Sequence, residues 1–147
     1  MKIFFDTSVL VAAFVPAHPR HERAFNRFRR ARSRRAGADH AVTSAHTLAE
    51  LYAVLTTLPL SPRVAPATAE RIIRENLDGH ATVTALTVAE YRDVVRGLGA
   101  AGLAGGIVYD ALAYRAATKA GARVILTLNP RDFRRVAADD GMRVEEP

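Results

Sequence analysis

The fold is decided by one stretch near the start of the chain, KIFFDTSVLVAAF at residues 2–14. Residues 2–5 are rich in strand-forming side chains and are closed by an acid, Asp6. Residues 7–14 then have the composition of a short helix, which Pro16 ends because proline cannot continue the helical hydrogen-bond pattern. A strand that leads directly into a helix predicts the first unit of an alternating α/β fold.

The rest of the chain repeats this alternation. Ser44 predicts one helix start as an N-cap, and Thr87 with Glu90 predicts another as a capping box. Five glycines between Gly97 and Gly106 predict a flexible loop. Further strands are expected at 40–43, 81–85, 123–126 and 142–144, and further helices at 20–32, 45–57 and 66–77, from Thr87, at 110–119 and from Asn129. The pattern predicts an α/β protein whose central sheet of four or five parallel strands has helices on both faces.

Length and composition narrow the class of protein. The 147 residues suit a single domain, and 49% of them are apolar, as in a globular protein. No apolar run approaches the roughly 18–20 residues that span a bilayer, and the start of the chain lacks the pattern of a signal peptide. The absence of cysteine excludes disulfides and thiolate metal sites. We therefore expect a cytoplasmic protein without a membrane anchor.

The net charge of +6 is concentrated in one segment. Eight of the 21 basic side chains lie between Arg20 and Arg35, together with a single acid, Glu22. Guanidinium groups bind phosphate with paired donors, so this segment predicts contact with nucleic acid, with Arg29, Arg30, Arg34 and Arg35 as candidate residues. A solvated helix face and a surface for an acidic protein partner are the alternatives.

Acidic and amide side chains follow several of the predicted strands. Asp6 follows the first strand, Asn129 and Asp132 follow the strand at 123–126, Asp110 opens a helix after the glycine-rich segment, and Glu50 lies inside a largely apolar helix. The carboxyl ends of parallel strands meet at one edge of a sheet, where such proteins bind their ligands. Each residue has a structural alternative, as a helix cap or a solvated side chain. The joint arrangement favours a functional site.

Clustered carboxylates stay ionised when a cation neutralises them. Oxygen ligands without cysteine favour a hard ion, Mg²⁺ or Mn²⁺, which activates water for attack on phosphorus. The chain has no phosphate-binding GxxxxGK[ST] loop, no HExxH and no GxSxG. His46 and Glu50, four residues apart, are a weaker hint of zinc, because no third nitrogen or sulfur ligand is evident.

Four pieces of the chain together resemble the PIN-domain nucleases, and especially the VapC-type toxins. They are IFFDTSVLVAAF at 3–14, TSAHTLAELYAVLTTLP at 43–59, GGIVYDALAYRAAT at 105–118 and VILTLNPRDF at 124–133. The resemblance implies a PIN-like three-layer sandwich in a single PIN domain over residues 1–147. It also implies Mg²⁺- or Mn²⁺-dependent cleavage of RNA, a cognate antitoxin protein and a homodimer.

The same resemblance implies roles for individual residues. Asp6 and Asp110 would be direct metal ligands, and Glu50 would be a ligand or would hold metal-bound water. Thr7 or Ser8, and Thr127, would form hydrogen bonds in the pocket. Many family members have an acid where this chain has Asn129, so either Asn129 or Asp132 would complete the catalytic set.

Two other functions remain open. A haloacid dehalogenase-like enzyme also begins with a strand that ends in Asp, but it needs a second acid two residues later, where this chain has Ser8. A catalytically inactive PIN domain that only binds RNA or a partner protein is the main alternative. Detection of metal-dependent RNA cleavage, lost on substitution of Asp6, would separate them.

Overall fold

The fold is a five-stranded parallel sheet with helices on both faces, seen in a computed structural model that describes residues 1–32 and 38–147. The strands are β1 Lys2–Phe5, β2 His40–Ser44, β3 Thr82–Thr84, β4 Val124–Leu126 and β5 Arg143–Glu145. The helices are α1 Thr7–Phe14, α2 His21–Ala31, α3 Ala45–Thr57, α4 Pro66–Leu77, α5 Val88–Ala100, α6 Ile107–Ala120 and α7 Pro130–Val136. This architecture confirms the predicted α/β sandwich and its fifth strand.

The strand order is β3-β2-β1-β4-β5, which puts β1 at the centre of the sheet. Ile3 pairs with Ala41 of β2 on one side and with Val124 of β4 on the other. All four pairings are parallel, so the carboxyl ends of the strands lie at one edge. That edge is where the chain enters α1 after β1, α3 after β2 and α7 after β4.

Alternate residues of the central strand build two separate cores, because successive side chains in a strand point to opposite faces. Ile3 and Phe5 pack with buried residues of α1 to α4, including Leu51. Phe4 packs on the other face with buried residues of α6 and α7, including Phe133. Phe4 and Phe5 are both fully buried, so β1 reads as a continuous apolar run. The central strand is therefore held rigidly on both faces, and Asp6 directly follows it.

The predicted helix starts at Ser44 and Thr87 are confirmed. The Ser44 side chain accepts a hydrogen bond from the backbone N–H of Thr47 at 3.0 Å. Thr87 and Glu90 form a reciprocal capping box at the start of α5. Both caps satisfy N–H groups that have no partner within the helix, so these two helices begin where local chemistry predicts.

Two predicted boundaries near the glycine-rich segment are wrong. The expected loop from Gly97 to Gly106 is helical as far as Ala100, so only its second half is a connection. A glycine inside a helix costs only about 1 kcal/mol, which a capped helix that packs along α6 can offset. Asp110 does not open α6, because the helix begins at Ile107, which is buried.

Across residues 1–32 and 38–147, no helix combines the length and the apolar character that crossing a membrane requires.

Candidate active site

The acidic side chains singled out in the sequence line one cleft at the carboxyl edge of the sheet. The cleft has a volume of about 420 Å³. Asp6 enters it from the end of β1, Glu50 from α3, Asp110 from the first turn of α6, and Asn129 from the segment after β4. Three carboxylates from three separate elements therefore share one recess, as the strand order predicts for a parallel sheet.

Asp6 is held by two hydroxyl groups through a single oxygen. Ser8 Oγ donates to Asp6 Oδ2 at 2.6 Å, and Thr127 Oγ1 donates to the same oxygen at 2.9 Å. Ser8 Oγ also accepts from the backbone N–H of Leu128 at 3.0 Å, which ties the end of β4 to α1. Thr127 is fully buried. These bonds orient the carboxylate and leave Oδ1 without a hydrogen bond from the described residues.

Glu50 is fixed in the same manner from a different helix. Thr7 Oγ1 donates to Glu50 Oε2 at 2.8 Å, which joins α1 to α3. The other oxygen, Oε1, lies 3.8 Å from His46 Nε2, beyond hydrogen-bond distance. An acid inside an apolar helix thus has one oxygen held by a hydroxyl and one oxygen that is not.

Asp110 differs from the other two acids because no side chain of the described residues donates a hydrogen bond to it. It makes no side-chain hydrogen bond or ion pair with another residue of the described chain, and partial burial together with the negative charges of Asp6, Asp132 and Glu50 raises the pKa of Asp110 to about 6. A carboxylate kept among other carboxylates at this cost is a mark of a functional site. It is the electrostatic setting in which a cation binds.

Asn129 and Asp132 lie together at the rim of the cleft. The Asn129 side-chain amide donates to Asp132 Oδ2, and Arg135 lies 3.6 Å from Asp132 Oδ1. Asn129 lines the cleft, whereas the described lining does not include Asp132. Asp132 is close enough for its charge to raise the pKa of Asp110, so it contributes to the field of the site from the rim.

Helix capping does not account for four of these residues. Asp6 and Asn129 occupy the N-cap positions of α1 and α7, but neither side chain makes a capping hydrogen bond. Asp110 does not cap α6, whose N-cap residue is Gly106. The helix of Glu50 is capped by Ser44 instead. Helix capping therefore does not explain why these polar side chains are here.

The donor set fits a hard divalent cation supplied by few protein ligands. No group of three His, Asp or Glu side chains in residues 1–32 and 38–147 is placed to hold a metal ion by itself. Asp6 and Asp110 nevertheless both present carboxylate oxygens that no other side chain of the described chain occupies. Mg²⁺ keeps several waters and binds through one or two carboxylates plus substrate phosphate, so two acids suffice.

The cleft is also lined by residues that the sequence analysis did not single out, among them His18, Val54 and Tyr109. Tyr109 directly precedes Asp110, and its ring stacks on His46, with centroids 5.1 Å apart and planes 11° from parallel. The sequence signal that could have identified Tyr109 is its position next to Asp110, a candidate acid. The partner His46, 63 positions earlier in the chain, was not predictable from spacing.

The described part of the arginine-rich segment, residues 20–32, lies outside the cleft but adjoins it. Arg29 and Arg30 of α2 are exposed, and Arg34 and Arg35 lie outside the described residues. His18 lines both the acidic cleft and a second recess, which also contains Arg20 and Arg23. A continuous surface therefore leads from the acids to the start of the basic helix.

Another cleft of similar size, about 380 Å³, lies between α5, α6 and α7. Its two acids both have side-chain partners: Arg96 bonds to Asp93 at 2.9 Å, and the Tyr114 hydroxyl donates to Asp140 at 2.7 Å. It therefore lacks the unpaired carboxylates of the first cleft.

Fold and cleft define a class first: parallel α/β proteins with a carboxylate site at the carboxyl edge of the sheet, suited to a divalent cation. Within that class the family is shown by sequence. The PIN domain family model matches residues 3–139, and the chain belongs to the PIN-domain family. This confirms the resemblance found in the sequence.

Known proteins of this family are similar along the whole chain. Ribonuclease VapC40 of Mycobacterium tuberculosis is 34% identical over 140 residues, which cover 95% of this chain and 93% of that protein. Two solved structures have the same fold: VapC20 of Mycobacterium tuberculosis, a sarcin-ricin loop cleaving toxin (18% identity, 93% and 97% of the two chains, TM-score 0.69), and VapBC2 of Rickettsia felis bound to a fragment of its promoter DNA (19%, 99% and 98%, TM-score 0.68).

Proposed function

We propose that this protein is a metal-dependent ribonuclease, formed by a single PIN domain over residues 1–147, that acts in the cytoplasm as the toxin of a toxin–antitoxin pair. The observation that carries the proposal is the unpaired Asp110, gathered with Asp6 and Glu50 in one cleft. Such a cluster is stable in its charged form only with a cation, and a divalent cation with a phosphodiester is the chemistry that this arrangement suits.

We assign a separate role to each residue of the cleft. Asp6 and Asp110 would hold Mg²⁺ or Mn²⁺, and Glu50 would serve as a further ligand or would position water bound there. A bound ion of this kind activates water for in-line attack on phosphorus and stabilises the leaving oxygen. Ser8 and Thr127 keep Asp6 in a fixed orientation, and Thr7 does the same for Glu50.

Two residues, Asn129 and Asp132, complete the proposed catalytic set. Asn129 offers a carbonyl oxygen to the cleft while its amide holds Asp132. Asp132 then adds negative charge from the rim without entering the described lining. We infer that Asn129 replaces a fourth acidic ligand and that Asp132 acts electrostatically.

The relatives support both the reaction and the partner. A relative 34% identical along 140 residues is a ribonuclease by name, and a solved structure with the same fold is that of a sarcin-ricin loop cleaving toxin. The Rickettsia felis structure contains a VapBC pair on promoter DNA. We therefore propose a cognate antitoxin for this chain, and a homodimer of the toxin.

The experiment that tests the activity is cleavage of RNA by the purified protein with Mg²⁺ or Mn²⁺ and with chelator. We expect cleavage with either ion, none with chelator, and none from the nearly isosteric Asp6→Asn, which removes the charge that holds the cation. The Asp6 variant also controls for a contaminating nuclease. Metal-dependent binding of RNA without cleavage would instead favour the catalytically inactive PIN module.

The basic surface is proposed as the contact for the RNA strand. Replacing Arg29 and Arg30 with Gln should weaken RNA binding and flatten its salt dependence by about 0.7 for each phosphate that is no longer neutralised. Adding Arg34→Gln and Arg35→Gln should extend the effect. The matched control replaces Arg71 and Arg92, which are exposed on other helices. Equal slopes for the two pairs of variants would assign the patch to solvent or to an acidic partner.

The toxin role is tested in cells. Expression of this chain alone should arrest growth, an adjacent small open reading frame should relieve the arrest, and Asp6→Ala should not arrest growth at all. A protein that cuts RNA when purified but causes no arrest would be a housekeeping nuclease.

A further inference from the structure

The rim of the acidic cleft carries an aromatic pair that neither core explains. Tyr109 stacks on His46 at a centroid distance of 5.1 Å, and its side chain is 49% exposed. Tyr109 belongs to neither of the two buried clusters. It lines the cleft, whereas His46 is not among the described lining residues. His46 therefore supports one face of the ring and leaves the ring exposed toward the cleft.

We propose that the exposed face of Tyr109 binds an unpaired base of the RNA, in the nucleotide next to the phosphate that lies at Asp6 and Asp110. This inference rests on the proposed ribonuclease function. Bases of single-stranded RNA stack on aromatic side chains, and every base has a π-face for this contact. Tyr109 directly precedes Asp110 on α6, so a base stacked there belongs to a nucleotide whose phosphate is at the acids.

The site requires an unpaired base and excludes a duplex. A paired base is already stacked on both sides within its helix and cannot present a face to Tyr109 unless it is flipped out. The exposed Tyr109 ring, here called the base platform, is thus suited to a nucleotide that is unpaired. It selects for the absence of pairing more strongly than for the identity of the base.

His46 is a positioning residue that acts on two neighbours. Its ring fixes the plane of Tyr109, and its Nε2 is buried without a hydrogen-bond partner in the described chain, 3.8 Å from Glu50 Oε1. A small movement of Glu50 would close this gap to a hydrogen bond. The same side chain therefore connects the base platform to the acid that faces the reacting phosphate.

The test uses a mixed-sequence single-stranded oligoribonucleotide that the wild type cleaves. Tyr109→Ala should raise KM by about tenfold, within the range measured for base stacking on aromatic residues, with kcat changed far less. Tyr109→Phe keeps the ring and should keep KM. Tyr91→Ala is the matched control, because Tyr91 is similarly exposed but lies on α5. Melting temperatures should show that all four proteins are folded.

A set of oligonucleotides with one abasic ribose at each position around the cut locates the stacked base. For the wild type, one abasic position should raise KM about as much as Tyr109→Ala does. In Tyr109→Ala the same abasic substitution should have no further effect, because the two changes remove the same stacking interaction.

The outcomes separate the platform from the function on which it rests. If the wild type does not cleave RNA, the ribonuclease proposal and the platform both fail. If it cleaves, and the abasic penalty is the same in wild type and Tyr109→Ala, only the platform is wrong. An unchanged KM with weaker antitoxin binding would place Tyr109 in a protein interface and would also overturn the proposal.

His46 variants divide its two roles. His46→Phe retains a ring under Tyr109 but removes the nitrogen beside Glu50, so KM should stay near the wild-type value while kcat falls. His46→Ala removes both and should also raise KM. Equal KM values for His46→Ala and the wild type would overturn the supporting role.

Discussion

Two carboxylates near opposite ends of α6 have opposite electrostatic environments. At its C-terminal end Lys119 bonds to Glu90 of α5 at 2.7 Å, and Arg115 lies 3.6 Å from the same carboxylate. The hydrogen bond from Lys119, with that from the Thr87 backbone, lowers the pKa of Glu90 to about 2. At its N-terminal end, burial and three neighbouring acids raise the pKa of Asp110 to about 6.

The difference separates a charge that stabilises the fold from a charge that is kept despite a cost to stability. Glu90 is ionised, paired and part of a capping box, so its environment favours the folded state. The Asp110 carboxylate is favoured by a backbone hydrogen bond and by the positive end of the helix dipole, but these do not offset burial and the neighbouring acids. An isolated helix end would not gather acids in this way, and the gathered acids are the reason to place function there.

The sharpest test of this comparison is the effect of each carboxylate on RNA cleavage. We expect Asp110→Asn to lower kcat/KM by at least about two orders of magnitude, since metal stabilisation of transition-state charge amounts to several kcal/mol. Glu90→Gln should stay within about twofold of the wild type. A value within tenfold of wild type for Asp110→Asn at saturating Mg²⁺ would remove Asp110 from the metal site.

Metal binding should stabilise the protein only through the acidic end of α6. At a metal concentration about a hundred times the Kd, binding adds about 2.7 kcal/mol, or roughly 5–10 °C in melting temperature. Asp110→Asn should lose most of this rise, and without metal it should melt above the wild type. Glu90→Gln should melt lower but keep the full rise. Equal metal-induced shifts in wild type and Asp110→Asn would contradict the assignment.

The pH dependence of stability should have opposite signs at the two ends. The folded pKa of Asp110 lies above its ordinary value of 3.8, so the folded state keeps a proton that the unfolded state has lost. Without metal, stability should therefore fall as pH rises from about 3.8 to about 6 and then level off. The folded pKa of Glu90 is lowered from 4.5 to about 2. Glu90 therefore adds stability as pH rises between these two values, and its contribution levels off at higher pH.

Urea unfolding of the metal-free protein between about pH 5.5 and 7 isolates the Asp110 contribution, because the Glu90 contribution is nearly constant in that range. Asp110→Asn should remove the downward slope of the free energy of unfolding over this interval. A slope that survives in Asp110→Asn would mean that another group, and not Asp110, carries the raised pKa.

The sequence could predict what depends on local chemistry. The β1–Asp6–α1 unit, the caps at Ser44 and Thr87 and the alternation of strands and helices all follow from residues close to one another in the chain. The position of the cleft could be predicted as well, because a parallel sheet brings strand ends together whatever their separation in sequence. These parts of the prediction needed only the period of apolar residues and the position of the acids.

Contacts between distant helices could not be predicted. His46 was weighed only as a zinc ligand with Glu50, because a helical spacing of four is visible in a sequence and a stack between α3 and α6 is not. The prediction of a loop over the whole glycine-rich segment was wrong for the same reason. Glycine content describes a local preference for loops, whereas the length of α5 depends on its contact with α6.

The smallest expected effect tests whether Gly97 is part of the α5 helix. Gly97 lies inside α5, and a Cβ built there meets no atom within 4 Å, so Gly97→Ala should stabilise the protein by about 0.5–1 kcal/mol. Gly105, in the connection to α6, has a φ of 77°, where alanine is strained, so Gly105→Ala should destabilise it. Thermal unfolding measures both changes. Because Gly97 lies away from the acidic cleft, Gly97→Ala should leave RNA cleavage and the metal-induced shift at wild-type values. Destabilisation by both substitutions would mean that Gly97 is not helical in solution, and that α5 ends where the local glycine signal first placed its loop.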